Sequence, residues 1–309
     1  MPGADPAAGA QTQPHSRGIT IVALGVLILT PDGLLTTLVS ADIWTMLFWR
    51  GLLMAIALTL FTLARRRWGL WPGQQRNTLP PITRQTLGPT LGIAVLFTCS
   101  SIAFITAIVT TSVANTLFLI TVAPLFAAAF ARIFLKEPVA PRTIAAIVAT
   151  IAGMAIIFGG GIGRGDMGGN IAAVFAAACW AGSLVVLRHS PQTDPVIALA
   201  GGGYLIALVA LIAAPTLLVT APDALWLGLL GLIVLPVSFG LISLGPRYLP
   251  APEVSLIVLL EAIIGPLWAW AFIGQLPALT SLVGGMVILT TLVVYFRLSL
   301  RSNSAVSAA

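Results

Sequence analysis

Long apolar runs broken by short polar stretches set the pattern of this 309-residue chain. A bilayer core takes about 20 mostly apolar residues in helical form, so each uncharged run can be counted in passes. Between Arg84 and Arg132 there is no charge, which is room for two helices and too much for one. Thr110-Thr111-Ser112 marks the turn between them. The stretch from Ala262 to Phe296 is also uncharged, with Gly274-Gln275-Leu276-Pro277 as its break. Counting this way predicts ten helices, near 18–40, 43–64, 86–109, 112–135, 142–160, 168–188, 195–218, 224–246, 253–273 and 278–297. Residues 1–17 are too polar for a signal sequence and read as a disordered tail, and 299–309 read as a second tail.

Basic residues gather on the cytoplasmic side of membrane proteins, and a wrong helix count would scramble their alternation. With the amino terminus inside, the inner segments hold Arg17, Arg65, Arg66, Arg67, Arg76, Arg84, Arg132, Lys136, Arg142, Arg188, Arg247, Arg297 and Arg301. The outer segments hold Arg164 alone, beside Asp42, Asp166 and Asp223. Ten helices with both termini in the cytoplasm satisfy this rule. Trp44 and Trp226 near outer ends, with Trp68 and Trp71 near an inner one, fit interfacial aromatic belts.

Composition agrees. The chain is 58% hydrophobic and 8% charged with a mean hydropathy of +1.04, which excludes a water-soluble globule. Its basic residues punctuate apolar runs and form no patch, so a nucleic-acid partner is excluded as well. Cys99 and Cys179 lie inside apolar runs, while His15 and His189 fall in a tail and a loop, so no metal or other cofactor is expected. Gly163-Arg164-Gly165-Asp166-Met167-Gly168 matches G-x-G-x-x-G in form, yet no strand precedes it, so it reads as a flexible outer link.

The chain also repeats itself. Ala123-Pro124-Leu125-Phe126-Ala127-Ala128-Ala129-Phe130 and Gly265-Pro266-Leu267-Trp268-Ala269-Trp270-Ala271-Phe272 stand 142 residues apart. Five helices per half is an odd number, so the second half enters the membrane from the opposite side, giving an inverted repeat. The expected units are 18–160 and 168–298, joined by an outer linker at 161–167. The fold class is therefore an all-α integral membrane protein of ten transmembrane helices in two inverted five-helix repeats.

The helix count, the two halves, Ala-Pro-Leu-Phe leading to Phe134-Leu135-Lys136-Glu137-Pro138, and the Gly-Pro-Leu-Trp-Ala-Trp-Ala-Phe run resemble the drug/metabolite transporter superfamily, EamA-like branch. The resemblance covers residues 18–298. It implies a secondary transporter of the cell inner membrane that exports an amino acid, metabolite or drug. Two departures stand out. Gln275 occupies a place where the family usually closes a helix with an acid, and Pro31-Asp32-Gly33 lies where a Trp and small residues are common.

Three ionisable residues lie at membrane depth: Asp32, Arg50 and Glu261. Intramembrane charge is costly and calls for a partner. Asp32 and Arg50 are equidistant from the turn near Ala41, so they reach one depth and are expected to pair, either for function or only to fix helix packing. Glu261, Gly265, Trp268 and Phe272 share one helical stripe that can line a cavity for an amphipathic solute or simply shield a packing face. Phe126 corresponds to Trp268 in the repeat, and Thr98, Ser101 and Asn115 offer hydrogen bonds to a solute or between helices. An acid such as Glu261 can bind and release a proton, which makes a proton the candidate coupling ion. Substrate, bilayer and, as an open case, a second copy of the chain are the expected partners. A lipid-linked carrier or flippase and a membrane-embedded transferase are the alternatives; the first lacks a basic groove and the second lacks paired carboxylates.

Overall fold

The computed structural model describes residues 12–68, 83–135, 141–161, 167–190, 192–242 and 251–307. Every regular element among them is helical. In chain order these are α1 (Thr12–Leu29), α2 (Asp32–Leu38), α3 (Ile43–Trp68), α4 (Arg84–Thr110), α5 (Val113–Ile120), α6 (Ala123–Leu135), α7 (Pro141–Gly161), α8 (Met167–His189), α9 (Pro195–Ala213) and α10 (Ala221–Gly228). A π-helical segment (Leu229–Val234), α11 (Leu235–Ile242), α12 (Ala251–Ile273) and α13 (Leu279–Ser307) complete the chain. Among the described residues seven apolar stretches are long enough to cross a membrane: Arg17–Leu38, Ile43–Arg65, Gln85–Thr110, Val113–Phe134, Met167–His189, Pro195–Ala213 and Ala221–Ile242. Three shorter apolar helices, Ala145–Gly160, Leu260–Ile273 and Leu279–Tyr295, lie where the remaining expected helices fall. The protein is an integral membrane protein.

Three expected helices are interrupted. The first breaks at Thr30-Pro31, where proline supplies no N–H and pushes the preceding residue out of helical geometry. The backbone is resatisfied on both sides, Thr30 N–H donating to Val26 at 3.0 Å and Leu35 N–H to the Pro31 carbonyl at 2.8 Å. The fourth breaks at Thr121-Val122, before Pro124, and the eighth passes through the π segment. The seventh stops at Ala213 instead of 218 because Pro215 cannot continue it. At the ends, α1 begins at Thr12, within the tail expected to be disordered, and α13 runs through the second expected tail to Ser307. The turn at 110–112 and the break after α12 fall where the sequence puts them. Gly274 takes φ +66° there, a left-handed conformation that suits glycine, and the N–H groups of Gly274 and Gln275 donate back to Trp270 and Ala269.

Helices meet through small residues, as expected where lipid supplies no hydrophobic drive between them. A Cβ on Gly51 would stand 2.9 Å from the Gly203 carbonyl oxygen, and one on Gly203 2.8 Å from that of Gly51, so α3 and α9 cross backbone to backbone. Gly153 of α7 and Gly284 of α13 form a second reciprocal crossing. One apolar core gathers Leu117, Leu119, Val122, Ile157, Ala173 and Ile288, and another gathers Met46, Leu47, Met54, Leu58, Ile105 and Leu235. Phe104 and Trp180 pack against both, which places them on the seam between the cores. Large apolar side chains such as Leu60, Ile133 and Ile212 point outward, as a lipid-facing surface requires.

Candidate functional site

Asp32 is the first residue of α2, directly after the break, and the break carries it inside the bundle at 3% exposure. Arg50, on α3, is 8% exposed and meets it with both terminal nitrogens: Nη2 donates to Oδ2 at 2.7 Å and Nη1 to Oδ1. The expected pair therefore forms. Nη1 also donates to Thr36 Oγ1 at 3.0 Å, and the guanidinium carbon lies 5.9 Å from the centre of the Phe104 ring. The fork is thus occupied by a carboxylate, a hydroxyl and a π face.

Glu261 lies on α12 within electrostatic reach of both Asp32 and Arg50. The residue is half-buried in the bundle. Among the described residues no cation pairs with it, because Arg50 is held by Asp32.

The rest of the expected stripe divides. Gly265 lines no cavity: a Cβ there would run into Leu117, so the glycine lets α12 pack closely on α5. Trp268 is half-buried and donates from Nε1 to Thr30 Oγ1 at 3.0 Å, tying α12 to the break after α1. Phe272 is 67% exposed at the end of α12, its ring 5.3 Å from that of Trp268. Phe126 stacks on Phe130 at 6.1 Å and packs against the core around α5, so no ring contact joins it to Trp268.

Asn115 belongs to a buried network that knits helix ends together. Its Nδ2 donates to Thr111 Oγ1 at 3.0 Å and to Asn170 Oδ1 at 3.4 Å, while its Oδ1 accepts from Ser281. Gln275 joins this end of the bundle by accepting from Val113 N–H at 3.3 Å. Thr98 donates to the Gly202 carbonyl at 3.1 Å and binds α4 to α9. Ser101, half-buried, stands apart from these bonds. It shares a face of α4 with Phe97 and Phe104, at helical spacings of four and three.

That face carries residues the sequence reading did not single out. Phe97, Trp180 of α8 and Phe239 of α11 form a ring cluster with centroids 5.6 to 6.2 Å apart. Thr36 and Phe104 complete the surroundings of the ion pair. A separate apolar groove of about 570 Å³ runs between α7 and α13, and none of these residues lines it. Among the described residues no group of three or more His, Cys, Asp or Glu could hold a metal. The G-x-G-x-x-G residues Gly163 to Asp166 lie outside the described residues, as do Arg76, Lys136 and Arg247.

A helical membrane protein that keeps an ion pair and an acid inside its bundle, beside an interrupted helix, has the make-up of a solute transporter. The EamA-like transporter family model matches residues 16–159 and again residues 167–297, and the chain belongs to that family. No curated protein matches it. A solved structure described only as the crystal structure of a protein shares the fold at a TM-score of 0.64 and 18% identity, covering 92% of this chain and 98% of the other. Membership makes the protein a membrane transporter of small solutes.

Proposed function

We propose that the protein is a secondary transporter of the cell inner membrane that exports a small organic solute by alternating access, with a proton as its coupling ion. Ten helices in two inverted five-helix repeats build it, with both termini in the cytoplasm. Two family matches in one chain support the repeat. So do the crossings of α3 with α9 and of α7 with α13, the second and fifth helices of each half meeting their counterparts through paired glycines. α7, α12 and α13 span 21, 23 and 29 residues, enough to cross at 1.5 Å per residue.

The observation that carries the reading is Glu261, a half-buried acid inside the bundle next to the Asp32–Arg50 pair and the break between α1 and α2. A carboxyl so placed binds either a proton or a solute, and that exclusion couples one flux to the other. The test uses full-length protein in sealed vesicles, with solute movement measured under a pH gradient and as exchange at equal pH. Glu261→Gln is expected to abolish the gradient-driven flux. A well-folded Glu261→Gln protein with undiminished gradient-driven export would refute the coupling role, and a wild-type protein that moves no solute would refute transport.

A further inference from the structure

The groove between α7 and α13 takes no part in the site around Glu261, and its walls and its ends call for a ligand of another kind. The two helices touch backbone to backbone at Gly153 and Gly284, and a Cβ on Gly160 would run into Thr280. Toward the start of α7 and the far end of α13, Ala145 and Ala149 offer only methyl groups to Val287, Thr290, Val294 and Tyr295, which leaves a groove of about 570 Å³. The Thr291 hydroxyl, also on its wall, is turned back to the Val287 carbonyl at 2.7 Å, so the lining is chiefly hydrocarbon. Met286 and Val294 are 63% and 50% exposed, so the groove opens on the lipid-facing surface.

One end of this groove is basic. Along α13 the lining positions 287, 290 and 294 follow helical spacings of three and four, and the same stripe continues through Arg297 to Arg301. On α7 the lining positions 149 and 145 lead back by the same spacings to Arg142, in the first turn. Gly160 meets Thr280 while Gly153 meets Gly284 and Ile288, an antiparallel order that brings the start of α7 beside the far end of α13. Arg297 is exposed there, and neither helix carries an acidic residue. Membrane topology asks for basic residues at such an end, but not that three of them continue the two stripes that line a groove.

A hydrocarbon chain with an anionic head fits both parts, since the arginine fork matches phosphate oxygens. A second copy docked through this same face, in the same membrane orientation, would bring its own three arginines against these. We propose that the groove between α7 and α13 binds an anionic glycerophospholipid, with an acyl chain along the alanine face and the phosphate at Arg142, Arg297 and Arg301. The chain fills the gap left beside the glycine crossing, so the lipid braces the two helices that form it.

The experiment takes delipidated full-length protein in maltoside micelles and titrates it, under native mass spectrometry, with dioleoyl phosphatidylglycerol and dioleoyl phosphatidylcholine. The anionic lipid is expected to bind about tenfold more tightly, and the combined Arg142→Gln, Arg297→Gln and Arg301→Gln variant should bring the two lipids within about twofold. Removing equal charge from α1 and α3, by Arg17→Gln, Arg66→Gln and Arg67→Gln together, should leave the preference in place. Ala149→Phe, which puts a ring into the groove, should weaken both lipids. Equal binding of the two lipids by the wild-type protein would overturn the proposal, as would a control variant that loses the preference as fully as the groove variant. So would Ala149→Phe, shown folded by its elution profile, binding phosphatidylglycerol as the wild type does. A wild-type dimer by light scattering that Ala149→Phe turns into a monomer would give the face to a second copy instead.

Discussion

Replacing Arg50 by Gln is expected to damage the fold more than replacing Asp32 by Asn, and combining the two should recover most of the loss. Breaking one side of a buried ion pair costs about 3 to 5 kcal/mol in soluble proteins, because it strands the other charge in low dielectric. Both partners here are more than nine-tenths buried, so this range applies. The two single variants are not equivalent. Asp32→Asn leaves a guanidinium that still has Thr36, the Phe104 ring and the field of Glu261 around it, which puts the cost near the lower figure. Arg50→Gln leaves Asp32 and Glu261 facing one another with no cation between them, which puts it near the upper one. A gap of about 2 kcal/mol is roughly thirtyfold in the unfolding equilibrium constant. In the double variant two neutral amides replace the pair, and only one acid remains.

Unfolding of detergent-solubilised protein in mixed micelles, followed by tryptophan fluorescence, measures all four members of this cycle. The pair is supported by a coupling energy well above the few tenths of a kcal/mol that separate independent sites. A double variant as unstable as the sum of the singles would show that the two residues do not interact. A milder Arg50→Gln than Asp32→Asn would refute the argument from Glu261 and leave the pair intact.

Three further outcomes are expected. On a background without Cys99 and Cys179, a cysteine at Asn77 should be shielded from an impermeant thiol reagent in intact cells and one at Gly163 should react; the reverse pattern would overturn the cytoplasmic placement of the basic loops. Gly203→Val should prevent folding by forcing α3 from α9, whereas Gly92→Ala, with nothing within 4 Å of the added carbon, should be neutral or gain up to about 1 kcal/mol, both read by elution profile and thermal melting. Ser281→Ala should cost about 1 to 3 kcal/mol by leaving the Asn115 oxygen without its donor. It should leave the coupling of solute flux to the pH gradient unchanged, and a change in coupling would place the network in the solute path.

Most of the helices were legible because lipid makes hydrophobicity a near-binary signal: an uncharged run either has the length to cross or does not. Their interruptions were harder to read. Pro31, Pro124 and Pro236 lie near the three broken helices, yet Pro89 and Pro266 sit inside helices that continue. Proline permits a break without dictating one; what decides is whether neighbouring groups resatisfy the freed backbone. At Thr30 that support comes from its own hydroxyl, which donates to Leu27 at 2.9 Å and accepts from Trp268 across the bundle. No spacing in the sequence records such a partnership.

The site was legible where one residue's depth fixed its partner, and opaque where partners converge from distant segments. Asp32 and Arg50 flank one short turn, so equal distance along two antiparallel helices was enough to pair them. Phe97, Trp180 and Phe239 come from α4, α8 and α11, and only the packing of the two halves brings them together. The Glu261 stripe shows why periodicity alone misleads. It put Gly265 and Trp268 on the acid's side, but it could not tell a face that packs from one that lines a space. Gly265 packs against Leu117, Trp268 braces the break after α1, and Phe272 leaves the interior altogether. Trp268→Phe therefore offers a clean separation of roles: it keeps a ring and removes the donor to Thr30. If the indole acts by holding the break, this variant should slow transport in both directions while leaving the apparent affinity for the solute intact. If its face binds the solute, the maximal transport rate should survive and the apparent affinity should shift.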